Sequence, residues 1–301
     1  NQVRRSDPGK IHSQDVNKQN VLKKEDLLPG QTISVDHFII RTPGRLIEGN
    51  GQKKISGDMY SGGCIFVDHA SGYIHIILQA HMNTHETLAA KISFEEMCTQ
   101  HGVVPLKYLT DNGTAFLSEE FVESLKEFQQ HTIRGAPGAH HHNGIAERNI
   151  RTIMTIARTM LIHRSIHWPE VSTTILWPLA VLHAQYLFNH MPNPKLGFSP
   201  YELFTRTKID HGDFNHLHVW GCPVYVLSPS ILNGVKLPRW VPRSERFAYM
   251  GVADTHSKTS PLVLNLSTGR ITTKWSVVFD DWFATVASTP DEIPNFESDE
   301  W

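Results

Sequence analysis

The reading of this chain turns on a stretch that opens as Leu106-Lys107-Tyr108-Leu109-Thr110-Asp111-Asn112-Gly113 and closes as Asn143-Gly144-Ile145-Ala146-Glu147-Arg148. The apolar run that ends at Asp111 has the pattern of a buried strand. Glu147 falls just inside a long helical pattern that follows a glycine-containing loop. Thirty-five residues separate the two carboxylates, room for one helix (118–130), one short strand (131–134) and a loop. A helix and a strand carry the chain out and back, so both carboxylates can face one point.

Upstream, residues 31–40 read as a strand with Asp36 near its centre, and Thr42 to Gly57 as an exposed insertion. Residues 63–67 and 73–78 are two β-rich runs joined by Asp68-His69-Ala70-Ser71-Gly72, a hairpin with Gly72 supplying positive φ. A helix is expected over 84–101, capped by Asn83 or Thr84. Three early strands followed by alternating helices and strands imply an α/β fold with a mixed sheet flanked by helices. Helices over 144–163 and 168–190 follow, the second expected to kink at Pro178. Beyond His216, short β runs separated by Pro, Gly, Ser and Asn predict a small all-β unit. Its core is expected to draw on Trp220, Tyr225, Trp240, Tyr249, Trp275 and Phe279.

The organisation expected is a flexible lead-in over 1–30, a core with a helical extension over 31–205, the β unit over 206–285 and an acidic linker over 286–301. Hydrophobic residues make up 40% and charged residues 19% of the chain, an ordinary globular balance. The formal net charge of −2 hides an asymmetry: no Lys or Arg follows Lys274, whereas several Asp and Glu do. A mildly basic body with an acidic tail is compatible with a nucleic-acid partner. Three widely spaced cysteines form no CxxC pair, which argues for a reducing compartment and against a cysteine zinc finger. The most apolar window, 171–188, is interrupted by Pro178, His183 and Gln185, so no membrane span is expected. No secretory signal is visible, and the chain reads as a piece of a longer polypeptide.

Two Val-Asp-His triplets, at 35–37 and 67–69, compete to supply a third carboxylate. Asp68 opens a hairpin turn, where aspartate ordinarily bonds its own backbone. Asp36 instead stands inside an apolar strand, where an ionised carboxylate is costly unless positive charge lies beside it. A divalent cation supplies that charge. Asp36, Asp111 and Glu147 are therefore the expected catalytic and metal-binding set. Hard carboxylate oxygens suit Mg²⁺ or Mn²⁺, and two such ions suit an in-line phosphoryl displacement.

Asp36, Asp111 and Glu147, at this spacing, resemble the D,D-35-E triad of retroviral-type integrases on the ribonuclease-H-like fold. The chain is most similar to integrases of copia-type retrotransposons. The likeness is carried in order by 110–113, 143–148, Ser199-Pro200-Tyr201-Glu202-Leu203-Phe204, His216 to Val226, Thr268-Gly269-Arg270 and 277–281. The resemblance implies a ribonuclease-H-like core followed by an SH3-like barrel. The implied activity is metal-dependent 3′-end processing and strand transfer of retroelement DNA. Implied partners are double-stranded DNA, further copies of the chain and the rest of a Pol polyprotein; the implied locations are the nucleus and, before it, a cytoplasmic virus-like particle. His142 stands where the family places a Gln, and no His/Cys zinc module is recognised ahead of the core. Two other classes compatible with the same residues are a decayed or domesticated DNA-binding module and a nuclease of this fold that only hydrolyses.

DNA contacts are expected from Asn112, His142, Asn143, Arg148, Arg151 and Arg158. On the helix after Gly144, Ile150, Ile153, Met154, Ala157, Met160 and Leu161 form a core stripe, while Glu147, Arg151, Thr155 and Arg158 share another face. That second face reads equally as a solvated Glu–Arg surface or as a phosphate-binding one. His140-His141-His142 reads as a polar loop rather than a zinc site, because adjacent loop histidines do not converge on one ion without partners. Arg41, Arg45, Lys53 and Lys54 read as solvated.

Overall fold

In the computed structural model the described residues are 27–47, 59–134, 143–253 and 260–286. The lead-in before 27, Lys53 and Lys54, the histidine triplet 140–142 and the acidic stretch after 286 lie outside them. Strands β1 (Ile33–Gly44), β2 (Tyr60–Asp68) and β3 (Ile74–Gln79) form an antiparallel meander. Helix α1 (Thr84–Gln100) leads to β4 (Lys107–Thr110). Two short helices, α2 (Thr114–Leu117) and α3 (Glu119–Glu127), then lead to β5 (His131–Arg134). β4 lies parallel to β1 and β5 parallel to β4, giving a five-stranded mixed sheet in the order β3-β2-β1-β4-β5. This is the mixed α/β architecture expected from the sequence.

Local chemistry explains the boundaries. Asn83 caps α1 by accepting the Glu86 N–H at 2.8 Å. The single helix expected over 118–130 is divided at Ser118, whose extended backbone ends α2 and whose Oγ accepts the Phe121 N–H to start α3. Helix α4 (Gly144–His167) is continuous for 24 residues. The helix expected over 168–190 is instead two 3₁₀ turns and α5 (Trp177–His190), with Pro178 in its first turn. Proline lacks only an N–H that has no intrahelical acceptor at that position, so it starts the helix instead of kinking it. Helix α6 (Pro200–Thr205) opens with a reciprocal cap between Ser199 and Glu202.

The sheet is covered on both faces, which is why β2 reads as an unbroken apolar run. Ile33, Val35, Cys64, Phe66 and Tyr108 pack with Ala90 and Phe94 of α1 and with Phe116, Phe121 and Leu125. Phe38, Ile65, Val67, Ile74 and Ile76 pack on the other face against Ile153, Ala157 and Leu161 of α4 and Leu179, Ala180 and Ala184 of α5. Each large apolar side chain so buried contributes on the order of 1.5–3 kcal/mol.

The rest of the chain adds β6 (Pro223–Leu227), α7 (Pro229–Leu232), β7 (Ser244–Val252), β8 (Pro261–Asn265), β9 (Ile271–Thr273) and β10 (Val277–Phe279). These strands form an antiparallel sheet in the order β10-β6-β7-β8-β9. Among the described residues no pairing of β9 with β10 closes it into a barrel, so the observed form is an open sheet. The expected turn at 265–269 is present, with Gly269 at φ 68. Trp220 and Tyr249 are buried as expected, but Trp240 and Trp275 are 91% and 66% exposed and do not belong to the core. The second sheet instead fills its core from Cys222, Val224, Phe247 and Val263, in one cluster with the buried faces of α4 and α5. Among the described residues no helix is long and apolar enough to cross a membrane.

Candidate active site

β1, β4 and α4 bring the three expected carboxylates to one region. β1 pairs with β4 through Ile33 opposite Tyr108 and Ser34 opposite Leu109. Asp36 lies two residues past Ser34 on β1, and Asp111 two residues past Leu109, just beyond the last residue of β4. Strand alternation puts Asp36 on the same face as Phe38, whose cluster includes Ala146 and Ile153 of α4. Glu147 lies in the first turn of α4, where the helix end favours negative charge.

Asp36 carries the electrostatic signature of the site. Its pKa is pushed up from 3.8 to about 7, first by burial, then by the charge of Asp111, with a smaller contribution from Glu147. The His37 N–H donates to Asp36 Oδ1 at 2.8 Å and works in the opposite direction. Asp111 and Glu147 are exposed. Asp111 Oδ1 accepts the Gly113 N–H at 2.9 Å, and a Cβ at Gly113 would stand 2.9 Å from that oxygen, so glycine lets the turn close on the carboxylate.

The donor set fits a hard divalent cation. All three groups offer carboxylate oxygens, and Asp36 is a half-buried acid facing two like charges, which a cation relieves. As they stand, no three His, Cys, Asp or Glu side chains among the described residues form a group able to hold an ion. The three carboxylates are thus neighbours electrostatically without being a closed ligand cage.

The rival aspartate is used structurally. Asp68 is 1% exposed and accepts from the Gly30 N–H at 2.9 Å, the Ser71 N–H at 2.7 Å and the Ser71 hydroxyl at 2.6 Å. The expected DNA-contact residues divide. Asn112, Arg148, Arg151 and Arg158 are exposed, and Arg151, Thr155 and Arg158 share the outward face of α4 with Glu147. His142 lies outside the described residues. Asn143 departs from the expectation: it is 6% exposed, and its Nδ2 donates to the Val35 carbonyl at 2.8 Å, so it faces the protein and not the solvent. Arg45, read as solvated, donates through its guanidinium to the Gly269 carbonyl and ties β1 to the second sheet.

His37 was not singled out from the sequence. It stacks on Phe116 with ring centroids 4.6 Å apart, and its Nε2 lies 3.0 Å from Thr87 Oγ1. Burial holds its pKa below the ordinary histidine value, partly offset by the negative charge of Asp111. Its position next to Asp36 in the sequence was the one available signal.

No family model matches the chain. It is 31% identical over 234 residues to the retrovirus-related Pol polyprotein from transposon RE1 of Arabidopsis thaliana, a match covering 75% of this chain and 14% of that polyprotein. The corresponding polyprotein from transposon RE2 of the same plant is 32% identical over 234 residues, with the same coverage of 75% and 14%. The polyprotein from transposon TNT 1-94 of Nicotiana tabacum is 34% identical over 121 residues, covering 40% of this chain and 8% of its own length. The chain therefore spans only 14% of the length of the first two relatives. Among solved structures, the HTLV-2 integrase catalytic core domain in complex with magnesium aligns at a TM-score of 0.43 with 21% identity, covering 59% of this chain and 98% of that one.

Proposed function

The homologues of this chain are retrovirus-related Pol polyproteins from copia-type transposons, and on that premise we propose that it is the integrase segment of such a polyprotein. The observation that carries this reading is the β1–β4 pairing, two residues beyond which Asp36 and Asp111 lie, together with the packing of α4 on the Phe38 face of the sheet. In this reading Asp36, Asp111 and Glu147 hold two Mg²⁺ or Mn²⁺ ions. Such ions, when bound, stabilise charge on the attacking and leaving oxygens of a phosphodiester.

The chain's own groups provide placement. Asp36 sits on β1 and Asp111 directly after β4, so the pairing of these two strands holds both near one end of the sheet. Glu147 enters from a helix whose other face is locked in the core. Arg148, Arg151 and Arg158 offer positive charge to DNA phosphates beside the carboxylates. In end processing, water attacks a phosphorus near the 3′ end, the bond from that phosphorus to the 3′-oxygen on its upstream side breaks, and the terminal nucleotides leave carrying the phosphate while the freed oxygen takes up a proton. In strand transfer, the resulting 3′-hydroxyl oxygen bonds to a target phosphorus, the bond to the target's 3′-oxygen breaks, and that oxygen takes up a proton while the nucleophile gives one up. No covalent protein intermediate is required.

In this reading the second sheet corresponds to the family's SH3-like barrel, and the protein acts as a multimer on two DNA ends. It would work in the nucleus after leaving a cytoplasmic virus-like particle. The test is strand transfer by the purified chain on a duplex mimicking the element's ends, with Mg²⁺ or Mn²⁺ present. Joined products that disappear in Asp111→Asn, with the fold intact, support the proposal. Full activity in that variant refutes it. Cleavage without joining would indicate a hydrolytic nuclease, and DNA binding without either would indicate a decayed or domesticated module.

A further inference from the structure

An asparagine immediately before a helix ordinarily accepts a backbone N–H from that helix's first turn. Asn143 occupies that position for α4 and makes no such bond. Its side chain reaches across to β1, where Nδ2 donates to the Val35 carbonyl at 2.8 Å. That carbonyl lies one residue beyond the last β1–β4 pair, Ser34 with Leu109, and one residue before Asp36. We infer that Asn143 is a positioning residue, a latch that sets the approach of Glu147 to Asp36.

Helix geometry makes the latch effective. Asn143 and Glu147 are four residues apart, about 6 Å along the axis and on neighbouring sides of the helix. The tie at Val35 therefore restrains the turn that carries Glu147 against the strand that carries Asp36. Among the described residues a Cβ added at Gly144 would meet nothing within 4 Å, Ile145 is exposed, and Ala146 of that first turn is fully buried.

The bond is also incomplete in a telling way. Among the described residues Asn143 Oδ1 is buried without a hydrogen-bond partner. Asn189, by contrast, brackets Ile74 completely, donating to its carbonyl at 2.7 Å and accepting its N–H at 2.9 Å. Asn189 is a fully satisfied structural staple. Asn143 gives up both a helix cap and a second bond, and what it gains is a fixed relation between α4 and the site strand.

The inference rests on the integrase reading only in taking Glu147 and Asp36 as metal ligands. The experiment compares the full chain with Asn143→Ala, Asn143→Gln and, as a control staple, Asn189→Ala. Mn²⁺ binding to metal-free protein is measured by calorimetry, DNA binding without metal by anisotropy, and exchange of the 145–147 amides by hydrogen exchange. Asn143→Ala is expected to weaken Mn²⁺ binding about tenfold or more, the scale typical for groups that orient metal ligands. Exchange at 145–147 should quicken, while metal-free DNA affinity stays within about twofold. Asn143→Gln, which keeps a donor on a longer arm, should recover part of the loss. Asn189→Ala should lower the melting temperature and leave Mn²⁺ affinity unchanged. Unchanged Mn²⁺ affinity in Asn143→Ala overturns the latch, as does a loss confined to DNA binding. A wild-type chain that binds no Mn²⁺ overturns the integrase reading itself, and the latch with it.

Discussion

Asp36 lies in β1 and Asp111 directly follows the last residue of β4, each two residues past the last β1–β4 pair, Ser34 with Leu109. The parallel pairing of β1 with β4 carries both towards one end of the sheet. It also explains why Asp36 responds to the charge of Asp111 more than to that of Glu147, which arrives from a separate helix.

Asp36→Asn should stabilise the metal-free protein while abolishing strand transfer. The folded-state pKa of Asp36 is about 7 against 3.8 for the free group, so the folded protein binds the extra proton between those values. Stability then falls as pH rises through that window and stays reduced above it. The variant removes this penalty, with an expected gain on the order of 2 kcal/mol at pH 8 after allowance for partial water access. Denaturant titrations of both proteins in chelator at pH 5 and pH 8 measure it; an equal difference at the two pH values would contradict the assignment.

Asp68 and Asp111 should separate cleanly into structure and chemistry. Asp68→Ala removes three hydrogen bonds in a buried turn and is expected to cost about 3 kcal/mol of stability. Asp111→Asn is expected to leave the melting temperature within a few degrees and to reduce strand transfer by at least about a hundredfold. Paired unfolding and strand-transfer measurements distinguish them.

Arg151→Ala should weaken DNA binding evenly across sequences. Arg151 is exposed on the face of α4 that carries Glu147. Loss of one phosphate contact lowers the slope of log affinity against log salt by about 1. An unchanged slope would return this face to the plain solvated reading.

Arg164→Met should raise the melting temperature. Arg164 is 1% exposed, and among the described residues none of its three guanidinium nitrogens has a hydrogen-bond partner, although Trp168 and Trp220 lie 6.0 Å and 5.8 Å from its charge. Burial pulls its pKa down to about 10. Replacing an unpaired buried cation with an apolar side chain of similar length is expected to stabilise by about 1–3 kcal/mol. Gly221→Ala should do the reverse, since φ there is +82 and a Cβ would stand 2.6 Å from Arg164 Cδ.

His183 should make the protein acid-sensitive. Burial lowers its pKa from 6.5 to about 4. The unfolded chain therefore takes up the proton first, so this contribution is fully present above pH 6.5 and is lost as pH falls toward 4. The loss is up to about 3 kcal/mol, and unfolding of His183→Gln between pH 7 and pH 4 should show a correspondingly flatter profile.

Much of the core was legible in the residues. The strand and helix order, a cap at Asn83 or Thr84 and the turn role of Asp68 follow from periodicity and local hydrogen bonding, which short segments carry within themselves. Several features were not. Pro178 fits a kink or a first turn equally well until the helix start is known. Trp240 and Trp275 look like core by residue type, and nothing local reveals that they face solvent. Asn143 looked like a loop residue free to touch DNA, because its acceptor, Val35, lies far away in the chain.

The sequence by itself therefore singled out the candidate groups: an aspartate inside an apolar strand, an aspartate at the end of a second strand and a glutamate at a helix start. Burial cost and local propensity are properties of short segments, so composition and spacing express them. Only the tertiary structure decided that β1 pairs with β4, ending two residues short of Asp36 and Asp111, and that Asn143 joins α4 to β1. Those are contacts between segments distant in the chain, set by how two packed faces close around one sheet, and no single segment contains the information that selects them.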